Sequence, residues 1–163
     1  MLQKKIAILG MYGVGKTALV QRFVSNHFDE KYLTTIGVKI DKKMITIGDQ
    51  EVNLLLWDIA GAEEDFTVPT SFLRGASGYL LVIDGTRPET LDRGLGLVDQ
   101  VESELGKIPF VALLNKSDLA DRWQLQEEHT TQLTAQGCQV IKSSALTGEG
   151  VESAFHALTK QII

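Results

Sequence analysis

Cysteine appears once in these 163 residues, at Cys138. A single thiol cannot build a disulfide framework within one chain, so a packed core must carry the fold, and a reducing cytoplasm suits it. Cys138 itself stands in a short apolar stretch and reads as a small core residue. Basic residues are outnumbered, 16 against 21 acidic, and the net charge of -5 argues against a nucleic-acid surface. No apolar run approaches the ~20 residues of a bilayer-spanning helix. No secretory leader opens the chain, its second residue is not the Gly needed for myristoylation, and its end, Lys160-Gln161-Ile162-Ile163, has no cysteine for prenylation. The expectation is a cytoplasmic protein without its own membrane anchor, reaching a membrane only through a partner or an extension past Ile163. No repeat, linker or low-complexity stretch interrupts the chain, so one domain over residues 1–163 is expected. His27, His129 and His156 fall at no metal-ligand spacing and are expected to be structural or surface residues.

What is present is the balance of a globular protein, 44% hydrophobic and 23% charged, and three short motifs in order. The first is Gly10-Met11-Tyr12-Gly13-Val14-Gly15-Lys16-Thr17. It fits Gly, four residues, then Gly-Lys-Thr, between an apolar run of strand length (Ile6 to Leu9) and a helical stretch (Ala18 to Val24). Gly10, Gly13 and Gly15 let the backbone turn and approach a ligand closely. The turn aims several N–H groups at one point, at the positive end of the following helix, which suits phosphate. Lys16 adds a positive charge at the outer phosphates, and the hydroxyl of Thr17 is a hard oxygen suited to Mg2+.

The second motif is Asp58-Ile59-Ala60-Gly61 and the third is Asn115-Lys116-Ser117-Asp118. Asn115 closes a continuous apolar run, Phe110 to Leu114, that reads as a buried parallel strand. Ligands bind at the carboxyl ends of such strands. A carboxylate only accepts hydrogen bonds, and guanine offers an N–H and an adjacent NH2 on one edge, whereas adenine has no such pair. Two charge-assisted bonds lost cost about 3–6 kcal/mol. That is a roughly 10²–10⁴ preference for guanine at Asp118. Taken alone, Asn-Lys-Ser-Asp also describes an ordinary polar loop ending in a helix cap; the three motifs together describe one pocket for GTP.

Candidate strands are Lys5–Leu9, Val38–Ile47, Val52–Ile59, Tyr79–Asp84, Phe110–Asn115 and Gln139–Lys142. Gly48-Asp49-Gln50-Glu51 is too short for a crossover, so the second and third strands form an antiparallel hairpin. The other links are long enough for right-handed helical crossovers. Lys39, Lys42 and Lys43 read as guards of an edge strand. Leu91, Leu95, Val98, Val101 and Leu105 form the core stripe of one helix, and Val151, Ala154, Phe155, Leu158 and Ile162 that of the last. The fold class expected is a three-layer α/β/α P-loop fold, with a six-stranded, mostly parallel sheet and one antiparallel edge strand.

With these motifs go Asn26-His27-Phe28, Tyr32, Thr35-Ile36-Gly37-Val38, Trp57-Asp58, Arg74-Gly75-Ala76 and Ser144-Ala145. From Lys5 to about Ile162 the chain resembles a small GTPase of the Ras superfamily, nearest its Rab-like branch; the missing lipidation site suits a prokaryotic relative. The resemblance implies a guanine-nucleotide switch that binds GTP or GDP with Mg2+ and hydrolyses GTP. It places Gly13, Val14, Gly15, Lys16, Thr17, Ala18, Phe28, Tyr32, Thr35, Gly61, Asn115, Lys116, Asp118, Leu119, Ser144, Ala145 and Leu146 at the nucleotide. Phe28 would pack against the guanine and Tyr32 lie over the phosphates. Thr17, Thr35 and Asp58 would hold the metal, Asp58 through a water. Lys16, Thr35 and Gly61 would serve catalysis, with the Gly61 N–H on the γ-phosphate. Phe28 to Gly37 matches the first switch and the segment from Asp58 the second, both ordered by GTP and released after hydrolysis. Effectors, exchange factors and activating proteins would read Ile36, Val38, Ile40, Trp57 and Phe72; a strand aromatic such as Trp57 is equally well a core residue.

Two positions depart from the family. Ala62 stands where the family usually has the Gln that orients the attacking water, and a methyl group makes no hydrogen bond. Tyr12 stands where the Ras branch has Gly, beside the space an arginine finger enters, and such a finger supplies roughly 10³–10⁵ in rate. The expectation is slow intrinsic hydrolysis. A largely GTP-locked binding module is the alternative; a small-molecule kinase fits poorly, because Asp118 selects guanine and no insertion offers a second substrate site.

Overall fold

Alternating short apolar strands and amphipathic helices can bury both faces of a sheet only by placing helices on each side. The computed structural model describes residues 2–25, 37–61 and 67–163. Its strands are β1 (Leu2–Leu9), β2 (Val38–Ile47), β3 (Gln50–Ile59), β4 (Gly78–Asp84), β5 (Phe110–Asn115) and β6 (Gln139–Lys142). They form one sheet in the order β2-β3-β1-β4-β5-β6. Only β2 and β3 pair antiparallel, with Val38 opposite Ile59 and Ile47 opposite Gln50; the remaining pairs are parallel. The fold class is thus the one read from the sequence.

The α-helices among the described residues are α1 (Lys16–Ser25), the short α2 (Thr70–Leu73), α3 (Glu89–Leu105), α4 (Glu127–Thr134) and α5 (Val151–Ile162). Period-2 alternation divides the strand side chains between two cores. Ile6, Ile8, Leu80, Val82, Val111 and Leu113 face the layer of α1 and α5. Ala7, Leu9, Tyr79, Leu81, Ile83 and Ala112 face the layer holding Leu73 of α2, Leu91 and Val98 of α3, and Leu133 of α4. The stacked rings of Phe23 and Phe155, centroids 3.9 Å apart, close the first layer, and Tyr79 on Phe110, at 4.7 Å, the second. A central strand buried on both faces explains why its sequence is an unbroken apolar run.

Some boundaries differ from the reading of the sequence. The hairpin turn is Gly48-Asp49, with Gly48 at a φ of 60°, because Gln50 and Glu51 continue the ladder on an exposed strand end. Cys138 is buried, and its thiol donates to the Leu133 carbonyl at 3.2 Å. β2 is an edge strand, with Lys39, Lys42 and Lys43 along it. His129 accepts from the Gln126 N–H through Nδ1 at 2.8 Å, capping α4.

Candidate nucleotide site

Every strand except β2 ends at the same edge of the sheet. β1 lies where the strand order turns back, with β3 on one side and β4 on the other, and open α/β sheets form their ligand crevice at such a point. The loop Gly10–Gly15 leaves β1 there and feeds α1 at Lys16. Gly15 has a φ of 102°, and a Cβ on it would be driven into the Asn115 amide nitrogen. Glycine is required for strain and for space alike. The space is used: Asn115 Nδ2 donates to the Val14 carbonyl at 2.8 Å, and the Ser143 hydroxyl donates to Asn115 Oδ1 at 3.1 Å.

Lys116 has a φ of 72°, unlike any other non-glycine residue described. Such a conformation costs roughly 1–3 kcal/mol and persists where surrounding contacts over-determine it. Here its ammonium donates to the Gly13 carbonyl at 3.0 Å and lies 2.9 Å from Asp84 Oδ2. Thus two residues of the third motif hold the first. The fourth residue, Asp118, is exposed, and its Oδ1 accepts from the Ser144 hydroxyl at 2.7 Å. Ser144 and Ala145 are buried, Leu119 is half-buried, and Leu146 is 51% exposed.

Lys16 is 6% exposed, and its ammonium donates to the carbonyls of Gly10 and Met11 at 3.1 and 3.2 Å. Burial pushes its pKa down to about 8; Asp58 opposes the fall and Arg87 adds to it. The ammonium form still predominates at neutral pH. Gly61 sits against this group, since a Cβ there would lie 2.7 Å from Lys16 Nζ. Val14 and Ala18 turn their side chains into the core.

Thr17 Oγ1 donates to Asp58 Oδ2 at 2.7 Å, both residues buried. These are the hard oxygen donors Mg2+ takes, so the residues present fit that ion, with phosphate and water oxygens needed to complete its octahedron. Among the described residues no group of three His, Cys, Asp or Glu could hold a metal. When bound there, Mg2+ would neutralise phosphate charge.

Asp84, at the end of β4, belongs to none of the three motifs. Its Oδ1 accepts from the Thr86 N–H at 2.8 Å and the Thr86 hydroxyl at 2.7 Å. Its Oδ2 meets Lys116 and, at 3.1 Å, Arg87 Nε. Burial alone would raise its pKa, but the bonds from Thr86, Lys116 and Arg87 outweigh it and hold the carboxyl below its ordinary range. A charged residue closing the apolar run Tyr79–Ile83 was the available signal. The Trp123 ring covers Gly85, leaving no room for a Cβ, with Lys142 Nζ 5.0 Å from that ring's centre.

On the β2–β3 side, Ile40 is 48% exposed and faces Trp57 across the hairpin. Val38, Trp57 and Phe72 are half-buried against the second core. Lys5 Nζ lies 3.5 Å from the Trp57 ring centre and donates to the Arg74 carbonyl at 2.8 Å. Phe28, Tyr32, Thr35, Ile36 and Ala62 lie outside the described residues.

Strand order, glycine loop and base loop define a P-loop nucleotide-binding fold. A model of the Ras family matches residues 5–163. The chain is 31% identical over 161 residues to "Ras-related protein Rab-8B" of Homo sapiens, covering 98% of this chain and 78% of that protein. It is 34% identical over 161 residues to "Ras-related protein Rab-18" of Lymnaea stagnalis, covering 98% and 80%. The chain belongs to the Ras family and is a Rab-like small GTPase. Members bind GTP and GDP with Mg2+ and act as GTPase switches that meet effectors, exchange factors and activating proteins. Among the described residues no helix is long and apolar enough to cross a membrane.

Proposed function

We propose that this chain, as one domain over residues 1–163, is a guanine-nucleotide switch with slow turnover. The observation that carries the nucleotide reading is the direct attachment of the base loop to the phosphate loop, Asn115 to Val14 and Lys116 to Gly13. Asp118, held by Ser144, would then face the guanine edge, with Leu119, Ala145 and Leu146 around the base. Lys16 would exchange its bonds to Gly10 and Met11 for phosphate oxygens. Thr17, Asp58 and Thr35 would hold Mg2+, and the Gly61 N–H would meet the last phosphate. Phe28 and Tyr32 would cover the base and phosphates.

Slow turnover rests on Ala62 and Tyr12. The first offers nothing to orient a water; the second, 49% exposed, projects from the phosphate loop itself. The same pair supports a second reading, a module that stays loaded with GTP. Ile36, Val38, Ile40, Trp57 and Phe72 would form the surface that reports the bound state to a partner. The test is single-turnover hydrolysis of bound GTP, with the co-purifying nucleotide identified. Slow turnover predicts faster hydrolysis in Ala62→Gln, with GDP bound to the isolated parent; an unchanged rate counts against the role given to Ala62. GTP as the co-purifying species favours the loaded module, and an adenine nucleotide would overturn the base assignment.

A further inference from the structure

In a trans peptide the C=O and N–H point in opposite directions. A carbonyl pinned to the outside of a loop therefore turns the next residue's N–H inward, and inward N–H groups are what a phosphate loop offers its ligand. Lys116 pins the Gly13 carbonyl and so turns the Val14 N–H across the loop, where without a ligand it reaches the Met11 carbonyl at 3.4 Å; Asn115 pins the Val14 carbonyl and so aims the Gly15 N–H. One carbonyl earlier, Arg87 Nη2 donates to the Tyr12 carbonyl at 2.8 Å. By the same logic this bond aims the Gly13 N–H.

We propose that Arg87, from the turn after β4, is a positioning residue for the nucleotide's phosphates, clamping the Tyr12–Gly13 peptide and adding a fixed positive charge to the loop's outer wall. The guanidinium divides its donors, Nε to Asp84 Oδ2 at 3.1 Å and Nη2 to Tyr12. It lies close against the loop, for a Cβ on Gly13 would be 3.2 Å from Nη2. Asp84 Oδ2 also receives Lys116, so one buried carboxylate oxygen orders both cations that hold successive carbonyls. The field of Arg87 also reaches Lys16, whose pKa it lowers. A lysine could supply the charge at Arg87 but not the fork that spans Asp84 and Tyr12.

This inference rests on the guanine-nucleotide reading, so the parent's own affinity is the control. GDP release, followed with a fluorescent GDP after Mg2+ is chelated, should be about tenfold faster or more in Arg87→Ala, as expected for a lost charge-assisted hydrogen bond. Arg87→Lys should recover only part of that. Competition with GMP should change by less than about twofold, because fewer phosphate oxygens meet the loop. Melting of the nucleotide-free proteins serves as the structural readout. If the parent binds no GDP, the nucleotide reading itself falls. If the parent binds GDP and Arg87→Ala releases it at the parent's rate, only the role of Arg87 falls. Equal losses for GMP and GDP, tracking a lower melting temperature, would make Arg87 a support of the fold and overturn the proposal. Should Arg87→Ala not fold, Arg87→Lys and Arg87→Gln carry the same GDP-to-GMP comparison.

Discussion

Replacing Asp84 with Asn removes one charge without changing the shape of the side chain. In the parent, a buried carboxylate takes two hydrogen bonds from Thr86 and faces Lys116 and Arg87. The amide would face those cations with no charge to match theirs. Breaking a buried ion pair costs about 3–5 kcal/mol. Lys116 and Arg87 are 32% and 33% exposed, so water recovers part of their solvation. A loss of about 2–4 kcal/mol is expected, which for a domain of this size lowers the melting temperature by roughly 4–16 °C. Calorimetric melts of nucleotide-free and GDP-saturated protein, from mildly acidic to neutral pH, would measure it. The carboxyl's pKa is depressed in the folded chain, so its contribution is complete above the unfolded value and fades as pH falls through the folded one. The gap between parent and Asp84→Asn should stay level from about pH 8 to 5 and narrow below about pH 4. A gap under about 1 °C at neutral pH, or one that widens in acid, would refute the account of this network.

Two further outcomes follow from the same site and surface. Lys16 has its pKa lowered to about 8 by burial, so the unfolded chain holds the extra proton between about pH 8 and 10.4 and stability of the nucleotide-free protein rises with pH across that window. Phosphates favour the ammonium, so GDP binding at pH 9 should take up close to one proton, with affinity falling up to about tenfold per pH unit above 8. Calorimetry in two buffers of different ionisation enthalpy reads this; absence of proton uptake would remove Lys16 from the phosphates. Trp57→Ala should cost about 2 kcal/mol of stability, roughly half that of a fully buried Trp. It should leave GDP affinity within about twofold while a partner captured by the GTP-loaded parent is no longer held; a parallel loss of nucleotide would return Trp57 to the core alone.

The sheet was legible wherever both faces are buried. Phe110–Asn115 matches the structure at both ends, because an unbroken apolar run has no competing explanation at that length. β3 begins earlier than expected, at Gln50, because ladder pairing on an exposed end needs no apolar side chain. Among the described candidate site residues, those in local motifs are legible as candidates from their spacing. The charge closing the run Tyr79–Ile83 marks Asp84, but the roles of Asp84 and Arg87 are not legible: their partners Lys116 and Tyr12 are remote in sequence, and only the β1–β4–β5 pairing brings them together. Trp57 remained evenly divided between surface and core for a physical reason. It is half-buried, one side packed inward and its ring beneath the Lys5 ammonium.

The chain's two tryptophans stand on different sides of this site. Trp57 precedes Asp58 on β3, and Trp123 lies on Gly85, next to the carboxylate that orders Arg87 and Lys116. The molecule therefore has its own pair of optical reporters. Emission from Trp123 would follow the Asp84 turn and that from Trp57 the end of β3 at Asp58, so single-tryptophan variants, one Trp→Phe at a time, would read the two sides of the proposed nucleotide site separately with no dye attached.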